Sequence, residues 1–260
     1  MMKTIAMVKV LAGALMASAV LLNPVVAQVK SPSAEIKDER ALKLLKAMSD
    51  KLAKANSLSF GVRGLVPIGA PTGQFINLFA SSRVVMQRPD KLFVQARGDM
   101  FPSDIYFDGK TVTVVTPDKK FYAQQAATGA GLETFAKSPQ PGADAVAPFF
   151  DMLTADPYAS LTKGFVSALY VGQSTVGGVK ADHLAFTATE IDWEVWIGAA
   201  DMLPRLMVIS YRFSDRQRTF TVEFSDWKLN APIPARTFSA TIPAGAKKLE
   251  TKPEVPPRTK

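Results

Sequence analysis

The chain has 260 residues, 47% of them hydrophobic, and a formal net charge of +8. It contains no cysteine, which excludes disulfide bonds, thiol catalysis, thiolate metal sites and an acylated cysteine. The basic excess suits contact with an anionic membrane surface, but no basic helix or aromatic RNA-binding motif occurs, so a nucleic-acid partner is not expected.

The first 27 residues have the pattern of a secretory signal peptide. Lys3 and Lys9 form a positive start, residues 10–22 are apolar, and small residues precede Gln28. An uncleaved membrane anchor is the alternative, but this apolar run is shorter than the roughly 20 residues that a spanning helix needs. We therefore expect a soluble, periplasmic mature protein that starts at Gln28.

The mature chain opens with a predicted amphipathic helix. Ser31-Pro32-Ser33 supplies a helix start, and the helical pattern ends near Asn56. The apolar stripe is formed by Leu42, Leu45, Met48 and Leu52. Because the opposite face is charged, we expect this helix to cover another element on one side only.

From Ser57 the apolar residues recur with a period of two, which predicts strands. The predicted strands are Ser57–Arg63, Gln74–Met86, Leu92–Arg97, Ile105–Phe107, Thr111–Thr116 and Phe121–Ala123. Arg88-Pro89-Asp90-Lys91 and Asp108-Gly109 are turn signals between them. Strands joined by tight turns form an antiparallel meander.

The alternation of apolar and polar residues then stops for about fifty residues. A short helix is predicted near Leu132–Lys137, and a second amphipathic helix follows from Val146 to Leu153, where apolar residues recur at helical spacing. Asp156-Pro157 ends it, with one more helical turn over Tyr158–Lys163. We expect this insertion to fold back over the sheet.

A second group of strands starts with Phe165–Val171 and continues from Lys180 to Leu229. In this run one face is apolar and the other polar, as in Trp193 and Val195 against Glu194. A large bare apolar face is not tolerated on a soluble monomer, so helices, another sheet or a ligand must cover it.

The C-terminal part is predicted to contain one more strand and a tail. Ile233–Ile242 is expected to be an edge strand, which Pro232 and Pro234 would suit. Residues 247–260 are basic and rich in proline, which predicts a disordered tail. The expected domain therefore spans residues 28–246.

An ordered set of short motifs carries a resemblance to a known family. The motifs are Arg88-Pro89-Asp90-Lys91-Leu92, Tyr106-Phe107-Asp108-Gly109-Lys110-Thr111, Ala155-Asp156-Pro157-Tyr158, Val176-Gly177-Gly178 to His183-Leu184-Ala185-Phe186, Asp192-Trp193-Glu194-Val195-Trp196-Ile197, Leu203-Pro204-Arg205 and Phe224-Ser225-Asp226-Trp227. Across Ala41 to Glu250 the chain resembles a family of predicted bacterial periplasmic proteins of unknown function. That family is similar to the LolA/LolB-like superfamily of lipoprotein carriers and receptors.

The resemblance implies a fold and no known activity. The implied fold is mainly β with α: a curved antiparallel sheet forms an unclosed half-barrel, and amphipathic helices cover its concave face. In carrier members that face accepts acyl chains. No carrier residue is transferred to this chain.

The residues themselves offer no catalytic constellation. His183 is the single histidine, and Asp182 beside it points to the opposite face of a strand, so the two cannot form a dyad. A partner for His183 on another strand is left open, as is its role. Asp104, Asp108 and Asp118 lack the spacing of a calcium loop. We expect no enzyme activity, no cofactor and no metal site.

The apolar face is the candidate lipid-binding site, for lipid acyl chains or acylated proteins of the cell envelope. The candidate lid is Phe149, Phe150, Met152 and Leu153, and the candidate floor is Met207, Ile209, Tyr211, Phe220, Val222 and Phe224. Trp193 is included as a candidate, although packing in the core is the simpler expectation for it. Trp196 is expected on the convex surface or at a rim.

Pocket and core use the same residue types, so an alternative stays open. The helices can fill the concave side of the sheet and leave no space for a ligand. The chain would then be a structural or interaction protein that docks on an envelope partner through a sheet edge or the basic tail. An enzyme is the third hypothesis.

Overall fold

Twelve strands form a single sheet in the computed structural model, which describes residues 36–99, 102–127, 131–132, 147–189, 191–212 and 218–250. These residues belong to one compact unit, Glu35–Lys260. The expected signal peptide, residues 251–260 of the expected tail and most of the predicted helix Leu132–Lys137 lie outside the described residues.

The sheet is built from two meanders. The strands are β1 (Ser57–Gly69), β2 (Phe75–Gln87), β3 (Lys91–Gly98), β4 (Ser103–Phe107), β5 (Thr111–Val115), β6 (Phe121–Ala126), β7 (Phe165–Val176), β8 (Val179–Ala188), β9 (Ile191–Gly198), β10 (Pro204–Tyr211), β11 (Arg218–Leu229) and β12 (Lys247–Lys248). Their order is β12-β6-β5-β4-β3-β2-β1-β11-β10-β9-β8-β7, so the β1–β11 pair joins the two meanders. The sheet is large, curved and unclosed, which confirms the mainly β class.

Four short or medium helices accompany the sheet in the described part of the chain. They are α1 (Glu39–Lys54), a 3₁₀ helix (Ala147–Leu153), α2 (Pro157–Leu161) and a second 3₁₀ helix (Ala235–Phe238). The predicted first helix is confirmed, and its residues Leu45, Met48 and Leu52 are fully buried. They share one hydrophobic cluster with sheet residues such as Leu58 and Phe107.

Asp38 fixes the start of α1 and joins it to the sheet. Its carboxylate accepts from the backbone N–H of Arg40 at 2.8 Å and of Ala41 at 3.3 Å, and from Tyr170 N–H of β7 at 3.3 Å. Partial loss of water opposes ionisation, but these three donors hold the pKa of Asp38 below its ordinary value of 3.8. The helix therefore begins at Glu39, later than the Ser31-Pro32-Ser33 start that the sequence predicts.

Asp38→Ala is expected to lower the melting temperature, because the cap and the link to β7 are both lost. Asp38→Asn is the matched control, since asparagine also caps helices and only the charge is removed. A depressed carboxyl pKa contributes stability that is present above the unfolded-state value and lost on acidification. Melting curves against pH should therefore show a difference between wild type and Asp38→Asn that is full above about pH 4 and shrinks as the pH falls through the lowered pKa of Asp38. A difference that is independent of pH would contradict this role.

Two predicted elements differ in the structure. The segment Ala147–Leu153 is a 3₁₀ helix and not an α-helix. It is too short to gain from helix propagation, and Asp156 begins the next helix as its N-cap. The predicted strand Ile233–Ile242 is wrong: Pro232 and Pro234 lack the N–H that a ladder needs, and the chain forms a 3₁₀ helix at Ala235–Phe238 whose Phe238 is buried.

The ordered domain extends beyond residue 246, where the tail was expected to begin. Lys247 N–H donates to the Lys120 carbonyl at 2.8 Å, and Leu249 N–H donates to the Tyr122 carbonyl at 2.7 Å. These bonds make β12 a short parallel neighbour of β6. An edge strand offers unpaired backbone groups, so even a basic segment can be ordered there.

Candidate functional site

A partly open cavity of about 750 Å³ lies between the helical insertion and strands β8, β9 and β10. The insertion contributes Phe149, Phe150 and Leu161 to its wall. The sheet contributes Ala188, Ile191, Trp193, Met207 and Ile209. The wall is therefore mainly aromatic and aliphatic, which is typical of small-molecule sites.

Polar groups at the same cavity come from the insertion. Asp151, Asp156 and Lys163 contribute the charges. Loss of water around the Asp151 carboxyl raises its pKa, and the nearby Lys163 partly opposes this. Asp156 is the N-cap of α2 and accepts from Ala159 N–H at 3.0 Å. The charged groups are thus two carboxylates and one ammonium, beside an apolar wall.

Aromatic packing holds the 3₁₀ helix against the sheet. The Phe149 ring meets Phe60 edge-on with centroids 6.1 Å apart, and meets Phe224 at 5.6 Å. Phe60 in turn stacks on Trp227 at 4.2 Å, and the Trp227 indole N–H donates to the Pro204 carbonyl at 2.9 Å. Phe149 is therefore held by rings of β1 and β11, which are not part of the cavity wall.

Arg88 ties the insertion to α1. Its guanidinium donates to the carbonyl of Leu153, the last residue of the 3₁₀ helix, at 3.1 Å. It also donates to the carbonyls of Leu52 at 3.3 Å and Ala55 at 3.2 Å, at the end of α1. Carbonyls at a helix end lack intrahelical partners, and a cation there is favourable. The sequence indicates only a turn at Arg88. All three carbonyl partners are far from Arg88 in the sequence, and no local pattern predicts contacts of that kind.

The candidate lipid-binding residues fall into separate groups. Five of them line the cavity: Phe149, Phe150, Trp193, Met207 and Ile209. Met152 and Leu153 are fully buried in the core, and Val222 and Phe224 are buried beside it. Phe224 borders a second cavity of about 430 Å³ together with Trp227. Phe220 is half-buried and packs edge-on against Tyr211 at 5.7 Å, and Tyr211 is exposed.

Five apolar wall residues were absent from the candidate set: Ala155, Ala159, Leu161, Ala188 and Ile191. Ala188 and Ile191 flank the β8–β9 turn on the apolar face that the alternation predicts, so extending that face to the strand ends would have found them. Leu161 in α2 belongs to an insertion without a clear period, and no sequence signal placed it at the site.

His183 and Asp182 point to opposite faces of β8, as expected for neighbours in a strand. Asp182 is buried and accepts from the Tyr170 hydroxyl at 2.9 Å and the Gln173 amide at 3.0 Å. His183 Nε2 lies 2.7 Å from Glu194 Oε2 of β9, and its ring stacks on Trp196 at 3.8 Å. The cross-strand partner of His183 is thus Glu194, on the sheet face opposite to Trp193.

The described residues contain no group of three or more histidine, aspartate or glutamate side chains arranged to hold a metal ion. Within the same part of the chain, none of the helices has the length and apolar character needed to cross a bilayer.

Residues 41–251 match a family described as "Predicted periplasmic protein (DUF2092)". The chain belongs to this DUF2092 family. The match spans most of the sequence and confirms the resemblance that its motifs carry. A search of curated proteins finds no match.

Solved structures similar to this DUF2092 chain have low sequence identity. LprF from Mycobacterium bovis is 14% identical with a TM-score of 0.44, covering 82% of this chain and 100% of that chain. A LolA superfamily protein, NE2245 from Nitrosomonas europaea, is 10% identical with a TM-score of 0.36, covering 77% and 97%. The Pseudomonas aeruginosa MucA/MucB complex gives 15% identity and a TM-score of 0.42, covering 78% and 61%. The function is therefore inferred from this chain's own residues.

Proposed function

We propose that this protein is a periplasmic, non-catalytic binder of lipid acyl chains, either of free lipids or of lipidated proteins. The observation that carries the proposal is the partly open cavity of about 750 Å³, walled by Phe150, Trp193, Met207 and Ile209. Ligand sites commonly have volumes of about 300–1,000 Å³ and apolar walls with a few polar groups. The membership in a predicted periplasmic family supports the location.

The energetics favour an apolar ligand over a charged one. Burying hydrocarbon contributes about 0.8 kcal/mol per methylene, so several methylenes in this cavity outweigh one exposed ion pair of about 0–1 kcal/mol. The charged lining groups, Asp151, Asp156 and Lys163, include both signs. They suit the polar end of a lipid at the mouth, while the apolar wall holds the chain.

In this proposal the helices cover the concave face of the half-barrel, and the insertion is the movable part. Buried residues of α1 and of the 3₁₀ helix belong to the same cluster as the sheet core, which supports a cover. Arg88 holds the Leu153 carbonyl, and aromatic rings hold Phe149. Phe150 lies between these two attachments and borders the cavity, so it is the residue that would move to admit a chain.

The test is mild-ionisation mass spectrometry of protein purified from the periplasm, followed by organic extraction of whatever is bound. A lipid recovered at one per protein, and lost on extraction, is the expected result. Protein that is empty, and stays empty after incubation with membrane lipids, would refute the proposal. The open alternative of an envelope interaction protein with a self-filled core would then take its place.

A further inference from the structure

The β1–β2 hairpin extends beyond the strands on both sides of it. The last pair between β1 and β11 is Leu65 with Thr221, and the last pair between β2 and β3 is Ala80 with Gly98. The hairpin itself continues to the pair Gly69 with Phe75. Residues 65–79, which we call the hairpin tip, thus form a two-stranded ribbon whose outer rungs have no strand partner among the described residues.

Both faces of the hairpin tip carry exposed apolar side chains, and the polar Asn77 lies beside Leu65 and Phe79 on one of them. Cross-strand pairing puts Leu65 opposite Phe79 on one face, where each side chain is 45% exposed. On the other face Ile68 is opposite Ile76, which is 37% exposed. Val66 and Leu78 form the next pair on that second face, and both are half-buried. A protein groove would cover one face of such a ribbon and leave the other in water.

No charged residue lies between Arg63 and Arg83, and this interval contains the whole hairpin tip. Soluble proteins usually place charges on projecting or edge strands, because bare apolar strands associate. Here the turn at the end of the ribbon, residues 70–73, is also uncharged. The nearest charges along both strands are two exposed arginines, Arg63 and Arg83. Arg63 is ion-paired with Glu223 of β11, and at the base of the tip the Asp99 carboxylate accepts from Phe79 N–H at 2.9 Å.

We propose that the hairpin tip enters the interfacial region of an anionic lipid bilayer. A bilayer surrounds an inserted ribbon and so covers both apolar faces at once, while Arg83 and the Arg63–Glu223 ion pair would lie at the level of the headgroups. The depth is limited, because the outer backbone groups of the ribbon have no ladder partners and need water or headgroups. Because both faces carry exposed apolar side chains but the outer backbone groups need polar partners, the tip is expected to contact the membrane surface without spanning the bilayer.

The first test is flotation with vesicles of phosphatidylglycerol and phosphatidylethanolamine, using the full-length mature chain. The wild-type protein should float with these vesicles, and less with vesicles of phosphatidylcholine alone, since Arg83 and the basic excess of the chain favour anionic headgroups. The variant Leu65→Ser/Ile76→Ser/Phe79→Ser should bind at least about tenfold more weakly, because three exposed apolar side chains are lost.

The matched control is Val166→Ser/Leu169→Ser/Val171→Ser on the edge strand β7, where the three side chains are 45%, 48% and 50% exposed. This control should float like wild type. Thr72→Asp places a charge in the exposed turn without touching the packed hairpin, and it should also weaken flotation. Wild type that does not float, or tip variants that float like wild type, would overturn the inference.

The membrane contact is independent of the acyl-chain site. The tip residues are not part of the cavity wall, so the triple tip variant should keep any lipid found by mass spectrometry. Loss of flotation with retained lipid supports the tip alone, and retained flotation with an empty cavity refutes only the proposed function.

Discussion

Ala188→Trp is expected to weaken acyl-chain binding by about fiftyfold while the protein stays folded, because excluding three methylenes costs about 2.4 kcal/mol. Ala188 ends β8 and borders the cavity, so an indole added there projects into existing space of about 750 Å³. Filling the cavity tests it better than placing a charge at Phe150 or Phe224, since those two rings are buried and their loss would disturb the core.

Ala185→Trp is the matched control for this experiment. Ala185 lies on the same strand, and the register pairs it with Glu194 on the opposite face of the sheet. Displacement of a fluorescent fatty acid should give wild-type affinity for Ala185→Trp and the large loss for Ala188→Trp. Equal affinity of the two variants, both with native circular dichroism, would exclude this cavity as the acyl-chain site.

Arg88→Ala is expected to lower the free energy of unfolding by about 3 kcal/mol, because hydrogen bonds from a charged donor to three helix-end carbonyls are lost together. The carbonyls of Ala55 and Leu153 would then lose this donor, while the Leu52 carbonyl would keep only the long bond from Ala55 N–H at 3.4 Å. Since the Leu153 contact anchors the insertion, the same variant should also loosen the cavity wall that carries Phe150.

Urea denaturation measures this effect, and two variants control it. Arg83→Ala removes an exposed arginine from β2, five residues before Arg88, and should change the unfolding free energy by less than about 0.5 kcal/mol. Arg88→Lys keeps the charge but cannot supply the planar fork of donors, so most of the loss should persist. Full stability of Arg88→Lys would mean that charge, and not the hydrogen-bond geometry, holds the insertion.

Local periodicity predicted most of the sheet because alternation is a property of each strand alone. The run from Leu184 to Phe186 and from Trp193 to Ile197 places its apolar residues on one face, and those residues are buried. The same alternation correctly placed Asp182 and His183 on opposite faces of β8. It failed at Ile233–Ile242, where missing proline N–H groups outweighed an apolar pattern, and at Tyr211, which is exposed near the end of β10 although its alternation is apolar.

The candidate site was predicted only in part because wall and core residues are of the same types. Trp193, Met207 and Ile209 meet the cavity, whereas Val222 and Phe224 on the neighbouring strand do not. Strand position within the sheet and the path of the insertion decide this difference, and both depend on long-range pairs such as Leu58 with Leu229. No spacing within a strand contains that information.

The sequence by itself determined the antiparallel strands, the amphipathic first helix, the absence of cysteine chemistry and the family, because each depends on residue type and local order. Only the tertiary structure decided that Arg88 joins α1 to the insertion, that the insertion leaves an open cavity over β8, β9 and β10, and that the β1–β2 hairpin projects with exposed apolar side chains on both faces. These features arise where distant segments meet or stop short of each other, and that depends on packing in three dimensions.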